Sequence, residues 1–96
     1  MKILAIDDQQ LVLLPLEKRL KELGYDVRTE NNGKSGIESF DTFQPDLVIV
    51  DMNMPDVTGL DVVKFIRNEK KSDTPIMVLS GNTNDEVITE SFDLGI

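Results

Sequence analysis

The sequence predicts an α/β fold in which helices cover both faces of a doubly wound parallel sheet. Short apolar runs alternate with amphipathic stretches in the order βαβαβαβα, and this alternation is typical of right-handed crossovers between parallel strands. The most apolar run, Leu47–Val50, shows no polar–apolar alternation, which indicates a strand covered on both faces. The 96 residues allow one domain, spanning 1–96.

The first half of the chain contains two predicted strands and two predicted helices. In the first helix four leucines share one face, and Gly24 is a natural stop. Pro15 removes a backbone donor, so it should bend this helix or delay its regular part. The four elements are Lys2–Ile6, Gln10–Leu23, Tyr25–Thr29 and Lys34–Phe43, and the leucines are Leu13, Leu16, Leu20 and Leu23.

The second half continues the alternation. Thr58 is the predicted N-cap of the third helix, and Gly59 is predicted to permit a tight entry to that helix. The capping-box pattern Thr83-Asn84-Asp85-Glu86 predicts the start of a fourth helix, which Gly95 should stop. The other predicted elements are the strand Asp46–Val50, the helix Gly59–Glu69 and the strand Ile76–Leu79, which Pro75 begins.

Composition excludes several classes of function. The chain has no cysteine and no histidine, so disulfides, zinc–thiolate sites and thiol catalysis are excluded and the commonest general base is absent. With 18 acidic and 10 basic residues the net charge is −8, which opposes direct nucleic-acid binding and suits divalent cations. Apolar runs are too short for a membrane span, and Asp7 comes too early for a signal peptide. We therefore expect an intracellular, cytoplasmic protein.

Polar residues follow three of the predicted strands where each strand ends. Asp7 and Asp8 follow the first strand, Asp51 the third and Ser80 the fourth. Because parallel strands end at one edge of the sheet, these side chains should converge there. Three close carboxylates raise at least one pKa unless a cation intervenes, and Mg²⁺ prefers such oxygen ligands. The alternative is that they are ordinary solvent-facing acids, but their number favours a site.

Three motifs at these strand ends resemble those of bacterial response-regulator receiver domains. Asp7-Asp8 is similar to the acidic pair after the family's first strand. The segment Asp51–Gly59 matches D-x-x-M-P-x-x-x-G, and Ser80-Gly81 matches a Ser/Thr followed by a small residue. The resemblance covers the whole chain and implies a flavodoxin-like sheet of order 2-1-3-4-5.

The resemblance also implies a role for each residue. Asp51 would accept a phosphoryl group from a phosphohistidine on a sensor histidine kinase or a phosphotransfer protein. Asp8 would bind Mg²⁺ directly and Asp7 through water, with Asp51 and the backbone carbonyl of Asn53 as further ligands. Ser80 would turn its hydroxyl toward the phosphoryl group and report phosphorylation to an effector domain or target protein.

The sequence departs from the family pattern in one respect. The family has five βα units and this sequence contains four; no lysine lies beyond Lys71, whereas the family's fifth strand normally ends in a lysine. We expect a receiver domain truncated after the fourth helix. The strand Pro75–Leu79 would then be an edge, available for self-association.

Other classes stay open at this point. Phosphatases of the haloacid-dehalogenase type also use an Asp nucleophile with Mg²⁺. They require a second Asp two residues after the nucleophile, where this chain has Asn53. A nucleotide or flavin binder lacks support because no glycine-rich loop follows the first strand. A pseudo-receiver, folded but not phosphorylated, is favoured by the missing lysine and opposed by the intact acidic residues.

Overall fold

Strands and helices alternate along the part of the chain that the structure describes. The structure is a computed structural model, and it describes residues 1–52 and 54–79. The predicted fourth helix lies outside these residues. The elements are β1 (Lys2–Ile6), α1 (Gln10–Glu22), β2 (Asp26–Glu30), α2 (Gly33–Phe43), β3 (Leu47–Asp51), α3 (Gly59–Lys64), its π-helical continuation Phe65–Glu69, and β4 (Ile76–Leu79).

The four strands form one parallel sheet in the order β2-β1-β3-β4. Ile6 pairs with Val50, which pairs with Val78 on its other side. The carboxyl ends of β1 and β3 are therefore neighbours at one edge of the sheet. This confirms the predicted doubly wound, flavodoxin-like arrangement for the described strands.

The sheet is covered on both faces, as the apolar runs predict. Leu4 and Ile6 of β1 point into a cluster that α2 and α3 complete, with Val62 and Val63 of α3 fully buried. The alternate residues of β1 face the other side, where Leu13 of α1 packs on them. Successive strand residues point to opposite faces, so both faces of β1 are apolar because both are covered.

Helix α1 runs continuously through Pro15, so its regular part is not delayed. The proline is exposed and so is Leu11, whose carbonyl loses its amide partner, so water can replace that hydrogen bond. Leu23 was predicted to share the buried face, and this is wrong: the helix ends at Glu22, and Leu23 is exposed.

The predicted third helix is wrong in its second half. The chain changes from α to π geometry at Phe65, and the amide of Lys70 donates to the carbonyl of Phe65. Arg67 in this segment donates to the carbonyls of Ser72 and Thr74, at 2.8 Å each. These hydrogen bonds hold the loop between the π-helical segment and β4 in place. Among the helices described, none has the length and apolar character that a membrane span requires.

Candidate functional site

Three carboxylates converge at the carboxyl ends of β1 and β3. One carboxylate oxygen from each of Asp7, Asp8 and Asp51 lies within 4.8 Å of the other two. Asp7 and Asp8 directly follow β1, and Asp51 is the last residue of β3. The pairing of β1 with β3 brings these ends together, so the predicted convergence of the three acids is confirmed as geometry.

Asp7 is the buried member of this group, with 4 % of its surface exposed. Burial raises the pKa of its carboxyl above the ordinary value, and the neighbouring Asp51 and Asp8 charges raise it further. The backbone N–H of Gln9 donates to Oδ1 of Asp7 at 2.9 Å, and this hydrogen bond lowers the pKa of Asp7. The sequence predicted a raised pKa within this group, and Asp7 is the residue that carries it.

The three acids provide the ligands that a hard divalent cation prefers. All of their donor atoms are carboxylate oxygens. One of the acids, Asp7, is buried, and this burial makes its ionised form less favourable. A bound divalent cation would offset both the burial and the mutual repulsion. The donor set therefore fits Mg²⁺.

The loop after Asp51 is fixed by the core and by the start of α3. Met52 and Met54 are buried, at 7 % and 4 % exposed. The Thr58 hydroxyl accepts from the amide of Asp61, and the Asp61 carboxylate accepts from the amide of Thr58, which is a complete capping box. The prediction of Thr58 as N-cap is confirmed, and the loop that leaves the acidic cluster is anchored at both ends.

Two of the predicted site residues cannot be placed. Asn53, proposed to give a carbonyl to the metal, and Ser80, proposed as the switch hydroxyl, both lie outside the described residues. The acidic half of the predicted site is therefore described, and the roles of these two residues stay predictions.

Comparisons with known proteins agree on one family. Residues 3–96 match the family described as the response regulator receiver domain. This match decides the family. The chain is a response regulator receiver domain.

Two relatives carry the same domain in longer proteins. The receiver domain is 34 % identical over 92 residues to the cell cycle transcriptional regulator CtrA of Caulobacter vibrioides, covering 96 % of this chain and 39 % of CtrA. It is 34 % identical over 79 residues to the alkaline phosphatase synthesis transcriptional regulatory protein PhoP of Bacillus subtilis, covering 82 % of this chain and 32 % of PhoP. The chain thus spans about a third to two-fifths of these relatives.

Solved structures share the fold over nearly the whole receiver domain. The chemotaxis protein CheY4 of Vibrio cholerae superposes with a TM-score of 0.90 at 32 % identity, covering 98 % of this chain and 79 % of that chain. A receiver protein from Pseudomonas putida superposes with a TM-score of 0.89 at 26 % identity, covering 99 % and 79 %. The parallel sheet therefore belongs to a known fold of two-component signalling proteins.

An exposed apolar surface on α1 was missed by sequence reasoning. Leu11 is 88 % exposed and Leu14 is 59 % exposed, and both lie in the first half of the helix that follows Asp8. The helical spacing could have predicted this exposure, because neither leucine falls on the face that contains Leu13, Leu16 and Leu20. Leucines off that face have no buried position to occupy, so they are surface residues of the helix that follows Asp8.

Proposed function

We propose that this receiver domain accepts a phosphoryl group on Asp51 from a phosphohistidine of a sensor histidine kinase or a phosphotransfer protein. The observation that carries the proposal is the cluster of Asp7, Asp8 and Asp51 at the carboxyl ends of β1 and β3. Family membership supports the same reaction. The domain then works as a phosphorylated switch in two-component signalling, and any catalysis serves its own phosphorylation and dephosphorylation.

In the proposed reaction an Asp51 carboxylate oxygen forms a bond to phosphorus. The bond between phosphorus and the histidine nitrogen breaks, and the electron pair stays on that nitrogen. Mg²⁺, when bound, supplies the positive charge that lets two anions approach. Asp8 and Asp51 would hold the ion together with the carbonyl of Asn53, while Asp7 would bind one of its waters. Ser80 would donate its hydroxyl to a phosphoryl oxygen and transmit the change.

The exposed leucines of α1 supply a surface for the phosphodonor. Leu11 and Leu14 lie three to seven residues beyond Asp7 and Asp8 in the chain, and a partner helix packs on exposed apolar side chains of this kind. A net charge of −8 disfavours nucleic acid as a direct partner. We place the domain in the cytoplasm with its kinase, upstream of an effector domain or a target protein.

Mass measurement after incubation with a small phosphodonor and Mg²⁺ tests the acceptor. We expect a gain of one phosphoryl group in the wild type and none in Asp51→Asn. Asp56→Asn is the matched control, because Asp56 is an exposed acid five residues away in the left-handed region, at a φ of 62°, which asparagine tolerates. This control should be labelled like the wild type.

The outcomes distinguish the other classes. Labelling that persists in Asp51→Asn would overturn the assignment of the acceptor. A folded wild type that binds Mg²⁺ and takes no phosphoryl group would be a pseudo-receiver. Rapid turnover of an added phosphate ester, with free phosphate released, would indicate a phosphatase of the haloacid-dehalogenase type.

A further inference from the structure

We infer that Gly59 is a positioning residue for the phosphoacceptor, because the first residue of α3 rests directly on the backbone of Asp51. A Cβ atom built on Gly59 would lie 2.6 Å from the Cα of Met52 and 2.7 Å from the carbonyl carbon of Asp51, and closer still to the Asp51 carbonyl oxygen. These separations are far below van der Waals contact. This inference deepens the proposed function and rests on it for the role of Asp51.

The atoms that meet this added carbon are backbone atoms, so no side-chain rotation relieves the contact. Asp51 is the last residue of β3, which pairs with β1 on one side and β4 on the other. Met52 is buried, which holds its own backbone in place. The backbone of Asp51 and Met52 can therefore move away from the added carbon only if the end of β3 moves.

The helix side of the contact is equally fixed. Val62 and Val63 of α3 are fully buried, and the capping box between Thr58 and Asp61 closes the first turn. A methyl group at residue 59 consequently pushes the start of α3 and the end of β3 apart. That displacement acts at the peptide that carries the Asp51 carboxylate.

The acidic cluster is sensitive to such a displacement. Its three carboxylate oxygens lie within 4.8 Å of one another, and metal ligands must keep their distances to a few tenths of an ångström. Residues that orient metal ligands without touching the metal change metal affinity about 10- to 100-fold when they are replaced. The hydrogen atom that replaces a side chain at Gly59 thus allows Asp51 to reach Asp7 and Asp8.

Gly36 provides a matched control within the same chain. It is also a buried helical glycine, and a Cβ there would lie 2.5 Å from Cδ1 of Ile6. Cγ1 and Cγ2 of Ile6 would also lie 2.9 and 3.1 Å from this Cβ, and Ile6 is buried, so the added methyl group overpacks the core through a side chain and meets no backbone atom among these contacts. Gly36→Ala therefore adds the same methyl group and gains the same helix propensity without pressing on the backbone at Asp51.

The experiment compares Gly59→Ala and Gly36→Ala with the wild type. We expect Gly59→Ala to bind Mg²⁺ at least about tenfold more weakly in the unphosphorylated state, and to label with the small phosphodonor correspondingly slowly. Gly36→Ala should lose stability by overpacking the core, but when folded its Mg²⁺ affinity should stay within about twofold of the wild type, since its clash ends in the Ile6 side chain and not in the backbone at Asp51. Amide NMR shifts should move most at Asp51 and Met52 in Gly59→Ala. If the variant is unstable, all three proteins are measured in an osmolyte that restores the folded far-UV spectrum.

Each result decides the inference. Wild-type Mg²⁺ affinity in Gly59→Ala with unmoved Asp51 and Met52 amides would overturn it, and so would an equal loss in Gly36→Ala, which would indicate general destabilisation. If the wild type binds Mg²⁺ but is never phosphorylated, the proposed function fails while metal affinity still decides the role of Gly59. If the wild type binds no Mg²⁺, the Asp51 and Met52 amide shifts decide it.

Discussion

The Asp7 carboxyl costs the folded chain stability when it is ionised. Its carboxyl is buried and faces two other carboxylates, so its pKa in the folded state lies above the ordinary 3.8. The folded chain therefore binds this proton more tightly than the unfolded chain does. Stability falls as pH rises from 3.8 through the raised pKa, and the loss persists at neutral pH.

Replacing Asp7 with Asn should accordingly stabilise the metal-free chain. Asn keeps the oxygen that accepts from the amide of Gln9 and removes the charge. We expect a higher free energy of unfolding than the wild type at neutral pH, and an advantage that shrinks as pH falls through the raised pKa of Asp7. Urea unfolding at several pH values with a chelator present measures this. An advantage that grew toward acid pH would contradict the assigned cause.

Asp8→Asn should weaken Mg²⁺ binding by removing a charged ligand. Binding to the folded state alone stabilises by mass action, by about 2.7 kcal/mol when Mg²⁺ is a hundredfold above its Kd. The wild type should gain stability from Mg²⁺ by this relation, and Asp8→Asn should require at least about tenfold more Mg²⁺ for the same gain. Thermal unfolding across a Mg²⁺ titration measures it. Equal titration curves would remove Asp8 from the metal site.

At the scale of the elements, helix α2 ends in an unfavourable conformation. Gln44 follows the helix with φ 51° and ψ 64°, and its amide donates to the carbonyl of Phe40. A left-handed conformation costs a residue with a Cβ about 1–2 kcal/mol, and glycine adopts it freely. The hydrogen bond of this C-cap is formed, but glycine, and not glutamine, is the residue that favours its left-handed conformation.

Gln44→Gly should therefore stabilise the chain by about 0.5–1 kcal/mol, since the relief at the cap exceeds the entropy that glycine adds to the unfolded chain. Glu38→Gly is the control, because Glu38 is exposed within α2 and glycine there should destabilise by about 1 kcal/mol. Chemical unfolding of the three proteins gives both values. Loss of stability in Gln44→Gly would mean that the glutamine side chain contributes more than the backbone relief.

How far the sequence predicts each element depends on where its determinants lie. The run Leu47–Val50 predicts β3 because four consecutive apolar residues indicate a strand that is buried on both faces. The parallel order of the strands then predicts that Asp7 and Asp51 lie close together. The strand nevertheless includes Asp51, because Asp51 pairs with Leu79 of β4. The π-helical segment could not be predicted, because the bonds of Arg67 that accompany it run to the following loop.

At the scale of the whole molecule, β4 is an outer strand of the sheet that residues 1–52 and 54–79 form. Among the residues described, β4 pairs with β3 alone, and Met77 on it is 51 % exposed. Unpaired strand edges with apolar side chains are sites for strand addition. The charge of −8 opposes association of two copies, and added salt screens that repulsion.

We predict that the chain self-associates through this edge at high concentration, and more strongly as salt is added. Met77→Lys should keep it monomeric, because lysine on an edge strand disfavours pairing. Leu23→Lys is the control, since Leu23 is exposed to a similar extent, 56 %, and lies on no strand. Sedimentation velocity separates the outcomes. A wild type that stays monomeric at every concentration would contradict self-association through β4.

The position of Asp51 at the end of an inner strand has a consequence for the timing of motions. Backbone amides of Val48–Val50 lie between β1 and β4 and should exchange with solvent only when the whole domain unfolds. Amides of residues 54–58 have no strand partner among the described residues and should exchange by local opening, orders of magnitude faster. Asp51 marks the boundary between these two regimes, which amide exchange would map directly. A phosphoryl group on Asp51, as proposed, would sit at the end of the slowly exchanging strand and at the start of the faster-exchanging loop.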